Sequence, residues 1–494
     1  MSYQHGVRVS EMATALLPPV EVDSAIPFIV GTAPINMSDT ANVNEPVLCS
    51  SYAEAVAAFG YCPAQGESLK KFDYSISEFI SSHFSLHSVS PVVIVNVLDP
   101  SNATHKTTAT TSTISLNAVT GSATVEEQGI LLDSVSILPD ESDPTAYAAS
   151  TYDLSFDANG YLVITSKKDG SGNFLIPTTD DLIFNATKLL PSGVTATDVI
   201  GTVSVAGVKS GFELIDEVFP RFRKIPSILV APGYSKNPGV AAVMASKADS
   251  INGVFSAIAL VDIPTDSVTQ YSAVNAWKEQ NNYTDPKQVA CWPMISLDRT
   301  AYHMSTQLAG LMASVDSDNG DIPYVSPSNK QFKMNAAVLQ NGAEVWLGQN
   351  EATYLNSCGV VTALNFMQGW VCWGNRTGAY PGNTDVKDSF IPVRRMFSWI
   401  GNTFVTTFWQ RVDAPLNRRQ IDVIVDSANI WLNGLAAQQV ILGGRVEFLE
   451  SENSKVDLMD GKAKFHVYIT PPSPNREIDF VLEYDPDNLT TLFE

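Results

Sequence analysis

Residues 227–262, SILVAPGYSKNPGVAAVMASKADSINGVFSAIALVD, carry the pattern that decides the fold class. Ser227–Ala231 is a short apolar run of strand length, Pro238–Asn252 has helical spacing, and Val254–Asp262 is a second strand. The alternation continues with a helix over Ser267–Glu279, a strand over Gln288–Met294 and a longer amphipathic helix over Thr300–Ala313. Strands that alternate with helices of roughly ten to fifteen residues imply βαβ crossovers and a largely parallel sheet.

Upstream, AIPFIVGTA (Ala25–Ala33) reads as a strand, Ser51–Phe59 and Glu67–Ser85 as helices, and PVVIVNVL (Pro91–Leu98) as a buried strand. Ser101–Ser210 differs in kind. It is crowded with Ser, Thr, Asp and Gly, contains no arginine, and is expected to be an inserted β-rich acidic surface domain. Within it, two strand-like runs flank Asp157-Ala-Asn-Gly160, which is hairpin chemistry. The last third holds Trp370, Trp373, Trp399, Trp409 and Trp431, helices over Phe390–Phe408 and Arg418–Leu435, and two strand-like runs, Ala463–Thr470 and Ile478–Tyr484, joined by PPSPN. No repeat and no heptad array is present, which excludes solenoids and coiled coils. The expected class is α/β and α+β multidomain. Its parts are an N-terminal arm (1–20), an α/β domain (21–100 plus 211–345), the insertion (101–210), and a C-terminal domain (346–494) ending in a strand arm from about 463.

The 494 residues can bury a large core without a disulfide or metal staple. With 52 acidic against 30 basic side chains, a net charge of -22 argues against a nucleic-acid or anionic-membrane binder, since both need a basic footprint. Cys49, Cys62, Cys291, Cys358 and Cys372 are scattered singly, as suits thiols in a reducing cytoplasm. The start, MSYQHGVRVSEM, has neither the basic nor the apolar region of a signal peptide. The longest apolar stretches stop short of the ~18–20 residues that span a bilayer.

The common catalytic signatures are missing: there is no GxxxxGK[ST], GxSxG, HExxH or GxGxxG after a strand. His83 and His87 share a helix face but lack further ligands nearby, so ordinary histidines are expected. DSDNGD (Asp316–Asp321) has its glycine one position too early for a calcium loop and no closing glutamate, which leaves a turn. No catalytic residue, metal or cofactor is expected, and an α/β enzyme with an inserted β-domain survives only as an alternative resting on the βαβ pattern. Two features remain. Arg376, Arg394, Arg395, Arg411, Arg418 and Arg419 form an arginine-rich stretch suited either to carboxylates on a partner surface or to pairing within the chain. The apolar-alternating N-terminal arm and the C-terminal strand pair fit either a neighbour's sheet edge or their own sheet.

HGVRVSEM (His5–Met12), AIPFIVGTAP (Ala25–Pro34) and WGNRT (Trp373–Thr377), in that order, resemble the tail sheath proteins of contractile-tailed bacteriophages, over about 1–100 and 211–494. The resemblance implies a non-enzymatic structural protein that polymerises as stacked rings or a helix around a tail tube and contracts to drive the tube through the host envelope. A contractile bacteriocin particle would use the same subunit. The implied partners are the chain itself, the tail tube protein, and the baseplate and tail terminator proteins, with no nucleic acid and no membrane insertion. The implied location is the virion, after assembly in the host bacterial cytoplasm. By the resemblance, Tyr3, His5, Gly6, Val7 and Val9 of the N-terminal arm, with Phe465, Val467, Ile469, Ile478, Phe480, Leu482 and Tyr484, knit subunits together. Trp373, Gly374, Asn375, Arg376 and Thr377 are the family motif, in the inner domain. Arg394, Arg395, Arg411, Arg418 and Arg419 are expected to face the tube or a neighbour.

Overall fold

The computed structural model describes residues 17–38, 42–140 and 145–492. An eight-stranded sheet organises the body: β1 (Pro27–Gly31), β2 (Val47–Cys49), β3 (Val92–Asn96), β4 (Ile228–Val230), β5 (Ile258–Asp262), β6 (Gln288–Cys291), β7 (Val360–Asn365) and β8 (Trp370–Trp373), in the order β8-β7-β6-β5-β4-β1-β3-β2. The six central strands are parallel and the edges β2 and β8 antiparallel. Every residue of β1, β3, β4, β5 and β6 is buried. Strands covered on both faces must read as continuous apolar runs rather than alternating ones, which is how PFIVG, VVIVN, ILV and IALVD read.

Helices cover the two faces. Among them are α1 (Tyr52–Phe59), α2 (Ser75–Ile80), α3 (Pro238–Asp249), α4 (Tyr271–Gln280), α5 (Met304–Asp318) and α6 (Gln349–Ser357). The start of α3 is written in the sequence: the Asn237 side chain accepts from the Gly239 and Val240 N–H groups, and Pro238 takes the first helical position, where no N–H is needed. Most of α5 is buried on every side, so it is a central core helix rather than an amphipathic surface one.

Several expected boundaries move: the strand expected over Val254–Asp262 begins at Ile258, and the helix expected over Ser267–Glu279 begins at Tyr271. The helix expected over Glu67–Ser85 is α-helical only at α2 and continues as a π-helical turn, Ser81–Leu86. Residues before α2 spend backbone groups on bridges, Gln65 with Lys71 and Lys70 with Thr300. The strand expected over Gln288–Met294 ends at Cys291, before Pro293, which has no N–H for a ladder. Thr300–Tyr302 is a strand rather than the start of a helix, and it joins Met294–Leu297 and Ala336–Val338 in a small sheet.

Between β3 and β4 the chain leaves the body through a two-stranded stem, Lys106–Thr108 against Thr187–Leu189. Beyond the stem, two three-stranded sheets enclose a separate apolar core that includes Val125, Ile137, Leu162, Ile164, Leu182 and Phe184. The hairpin turns at Asp157–Gly160, where the Asp157 carboxylate accepts from the Asn159 and Tyr161 N–H groups at 2.8 and 2.9 Å. This unit is seated on the body rather than tethered to it. Glycine makes two of the closest approaches: a Cβ at Gly129 would lie 2.3 Å from the Tyr74 hydroxyl, and one at Gly160 2.5 Å from the Cys62 sulfur.

The C-terminal region packs α7 (Ile391–Phe408) against α8 (Arg418–Ala437) and a hairpin of β9 (Gly443–Glu447) and β10 (His466–Thr470). Met396, Trp399, Ile400, Trp431, Leu432 and Leu435 form its own core, with the Trp399 and Trp431 rings 5.6 Å apart. Its junction with the body is polar and buried. Asn402 accepts from the Ser256 N–H and donates to the Ser256 carbonyl, both at 2.9 Å, while Lys287 donates to Ser256 and Ser398. Burial, together with the nearby Arg394, pushes the Lys287 ammonium down to about 8.

Candidate assembly interface

The two ends of the chain meet different fates. Tyr3, His5, Gly6, Val7 and Val9 lie outside the described residues. From Leu17 onward the chain runs along the helix pair: Leu17 donates to Ser427, Val20 to Thr407, and the Trp399 and Trp431 indoles donate to the Val22 carbonyl and Glu21 carboxylate. Phe465, Val467 and Ile469 are half-buried against the core of α7 and α8, and β10 pairs with β9 from Gly443↔Thr470 to Glu447↔His466.

The expected strand Ile478–Tyr484 is not formed. The segment carries no regular structure, and Ile478, Phe480, Leu482 and Tyr484 are 67, 81, 94 and 75% exposed. A strand is defined by its ladder, and alternation alone cannot supply the partner whose N–H and C=O groups complete it. The β9–β10 hairpin is a two-stranded sheet among the described residues, so it too presents unpaired backbone at its edges.

The WGNRT turn joins β8 to α7. Gly374 sits at φ 144°, and a Cβ there would come within 2.9 Å of the Val361 Cα, so the turn presses on β7. The Trp373 side chain is half-buried; its indole donates to Asn356 when that amide is oriented to satisfy both of its ends. The Arg376 guanidinium lies between two rings, 4.2 Å from the centre of Tyr380 and 3.7 Å from that of Phe390, and donates to Ser389 at 2.8 Å. Thr377 is fully buried and donates to the Asp388 carbonyl. Arg376 therefore braces the junction between the sheet and α7.

The other arginines divide. Arg395 was expected at the surface and is turned inward: only 5% exposed, it pairs with the buried carboxylate of Asp316 through both terminal nitrogens and donates to the Ser24 carbonyl. Arg394 is mostly covered and pairs with Asp388 at 3.0 Å. The tip between α7 and α8 is open. There Arg418 and Arg419 are exposed and Arg411 half-exposed, beside the exposed Trp409, Val412 and Leu416.

Parallel α/β sheets hold ligands outside the carboxyl ends of their strands. Here those ends are filled. Asp262 at the end of β5 accepts from Ser235 and from the N–H and hydroxyl of Ser305, and the cavity beside it holds about 10 Å³, the space of one water. His303 bridges to α2 through two bonds to Glu78, from its backbone N–H at 2.6 Å and its ring at 2.9 Å. Burial alone would lower the imidazole, but the Glu78 and Asp262 carboxylates push it up to about 9. Its contribution to stability is therefore complete below pH 6.5 and is lost as pH rises through 9. Urea midpoints across that range should fall, and His303→Gln should flatten the fall. His83 is fully buried, stacked on Phe79 and pushed down to about 3 by burial, while His87 contacts Gln307 at 2.9 Å. Among the described residues no group of three or more His, Cys, Asp or Glu side chains is placed to hold a metal ion, and no helix is long and apolar enough to cross a membrane.

No family model matches the chain. Relatives do. The chain is 29% identical over 506 residues to the tail sheath protein of Burkholderia phage BcepMu, covering 99% of this chain and 98% of that one. It is 26% identical to a putative prophage major tail sheath protein of Pseudomonas aeruginosa, over 67% of this chain and 88% of that one. Among solved structures, its fold matches the contracted sheath complex of the extracellular contractile injection system PVC, with a TM-score of 0.56 and 13% identity over 99% of both chains. It also matches the contracted helical sheath of the anti-feeding prophage, with a TM-score of 0.54 and 13% identity over 98% of this chain and 100% of that one.

Proposed function

We propose that this chain, a homologue of tail sheath proteins along its whole length, polymerises with itself into a contractile sheath around a tail tube, and that contraction drives the tube through a host cell envelope. The observation that carries this reading is the match to the BcepMu sheath protein over 99% of this chain and 98% of that one. A helical polymer needs two different complementary surfaces on each copy, since a heterologous contact that does not close on itself propagates. The open hairpin β9–β10 and the exposed segment Ile478–Tyr484 are surfaces of that kind: one is a sheet with free edges, the other an alternating segment without a sheet. Contraction is then rigid-body rotation between two packings of a stiff subunit, with the terminal segments keeping neighbours joined. In this reading the sheath is held in the virion tail and meets the tube through the Arg411–Arg419 tip, with a baseplate and a tail terminator at its two ends. The insertion lies outside the polymerising core.

Sedimentation tests the role of the N-terminal arm. The full chain should pellet as a polymer above a threshold concentration, and a chain lacking residues 1–20 should stay in the supernatant. Equal pelleting by both would remove the arm from the assembly.

A further inference from the structure

Between the Trp373–Thr377 turn and the segment Pro472–Ile478 runs a groove of about 890 Å³, in the upper part of the roughly 300–1,000 Å³ usual for ligand sites. In a chain of net charge -22 its charged lining is mostly cationic: Lys330, Arg376 and Arg476 stand against one carboxylate, Glu477, which pairs with Arg476 at 3.2 Å. Arg394 and Arg395 each meet a carboxylate of the chain, whereas among the described residues Lys330 and Arg376 meet none. Lys330 belongs to the same wall as the turn, since its carbonyl accepts from the Cys372 N–H at 2.8 Å. Arg476 belongs to the opposite wall.

Arg376 is the fixed member of the set. The rings of Tyr380 and Phe390 hold its guanidinium and Nη1 donates to Ser389, so what remains for a ligand is the rest of its donor edge. Burial chiefly, and the charge of Arg476 as well, push this guanidinium down from its ordinary value, so the two arginines are near enough to repel. An anion bound between them removes that repulsion. A carboxylate brings one charge and two oxygens, whereas a phosphoryl group brings about -1.5 to -2 charge and three strong acceptor oxygens. Two guanidinium forks and an ammonium around one space match a chain of phosphoryl groups better than a single carboxylate. The net charge of the chain repels anions, so retention of one has to come from this local arrangement.

We propose that this groove binds an oligophosphate, free or carried by a nucleotide, whose phosphoryl chain bridges Lys330 and Arg376 on one wall to Arg476 on the other. The bridge fixes the segment Pro472–Ile478 against the Trp373–Thr377 turn, and that segment otherwise carries no regular structure. Ligand binding therefore sets where the chain beyond Ile478 leaves the body. Trp373, half-buried in the same groove, is the surface on which the base of a nucleotide would stack. The chemistry is that of a single chain and holds whether or not the chain polymerises.

The test is isothermal titration of the full chain with inorganic tripolyphosphate and, separately, with ATP. Tripolyphosphate should bind saturably, one per chain, and more weakly as salt is raised. The double variant Lys330→Gln, Arg476→Gln changes two exposed side chains and should bind at least about tenfold more weakly with an unchanged circular dichroism spectrum. Tighter binding of ATP than of tripolyphosphate would assign the site to a nucleotide, and equal binding to the free phosphate chain. Trypsin reads the bridge itself. The Arg476–Glu477 bond lies in an exposed segment, and the ligand should protect it while cuts elsewhere proceed, as mass spectrometry of the fragment beginning at Glu477 would show. In Lys330→Gln that protection should weaken. No saturable binding, equal binding by the double variant, or binding without protection at Arg476 would overturn the proposal. Displacement by sulfate as effective as by tripolyphosphate at equal ionic strength would reduce the groove to a general anion site and equally overturn it.

Discussion

Replacing Arg395 by methionine should cost the fold about 3–5 kcal/mol, the usual cost of removing one partner from a buried ion pair. The mechanism is the charge left behind. Asp316 is 1% exposed, and among the described residues its carboxylate keeps only the Ser24 hydroxyl at 2.8 Å without Arg395. Because Arg395 also holds the Ser24 carbonyl, the loss reaches three parts of the chain at once: the segment before β1, the end of α5 and the start of α7. The C-terminal helical region should loosen from the body first, which limited proteolysis and thermal melting would report. The double change Arg395→Met, Asp316→Leu should recover much of the loss, because a buried ion pair replaced whole by apolar groups is often neutral or better. Equal melting of the single variant and the parent would show that this pair does not hold the junction.

The second large effect separates two ways of cutting out the insertion. Removing residues 101–210 should leave an insoluble or molten chain. That cut takes Leu189, Val194 and Val199, which are buried in the main core, and three such losses at about 2–5 kcal/mol each are together as large as the whole stability of a typical domain. Removing only 109–186 should leave a folded chain. The cut ends, Thr108 and Thr187, are directly paired across the stem, and what leaves carries its own core. An Asn-Gly turn suits the rejoined hairpin. Soluble expression and circular dichroism of the two deletions decide this. If the shorter one fails as well, the seat at Gly129 and Gly160 is indispensable to the body, and the insertion is no independent unit.

How far the sequence could be read depended on the range of the forces involved. The parallel core was legible because burial on both faces imposes a continuous apolar run, visible within five residues at Val92–Asn96 or Ile258–Asp262. The Asp157–Gly160 turn was legible because its chemistry is local. Arg395 was not. Its partner lies 79 residues earlier in the chain, and nothing around either residue distinguishes a buried pair from two surface charges. Ile478–Tyr484 forms no strand within the chain for a related reason: alternation records which faces a segment offers, while the ladder that makes it a strand belongs to another segment. The groove between the Trp373–Arg376 turn and Pro472–Ile478 was half visible. WGNRT stood out as a motif, but the wall formed by Pro472–Ile478 is a product of the fold alone.

Negative-stain electron microscopy of the full chain purified alone decides whether it builds a sheath. Stacked rings or tubes with a central channel wide enough for a tail tube should appear as concentration rises. Compact single particles at every concentration, with an intact fold by circular dichroism, would contradict it.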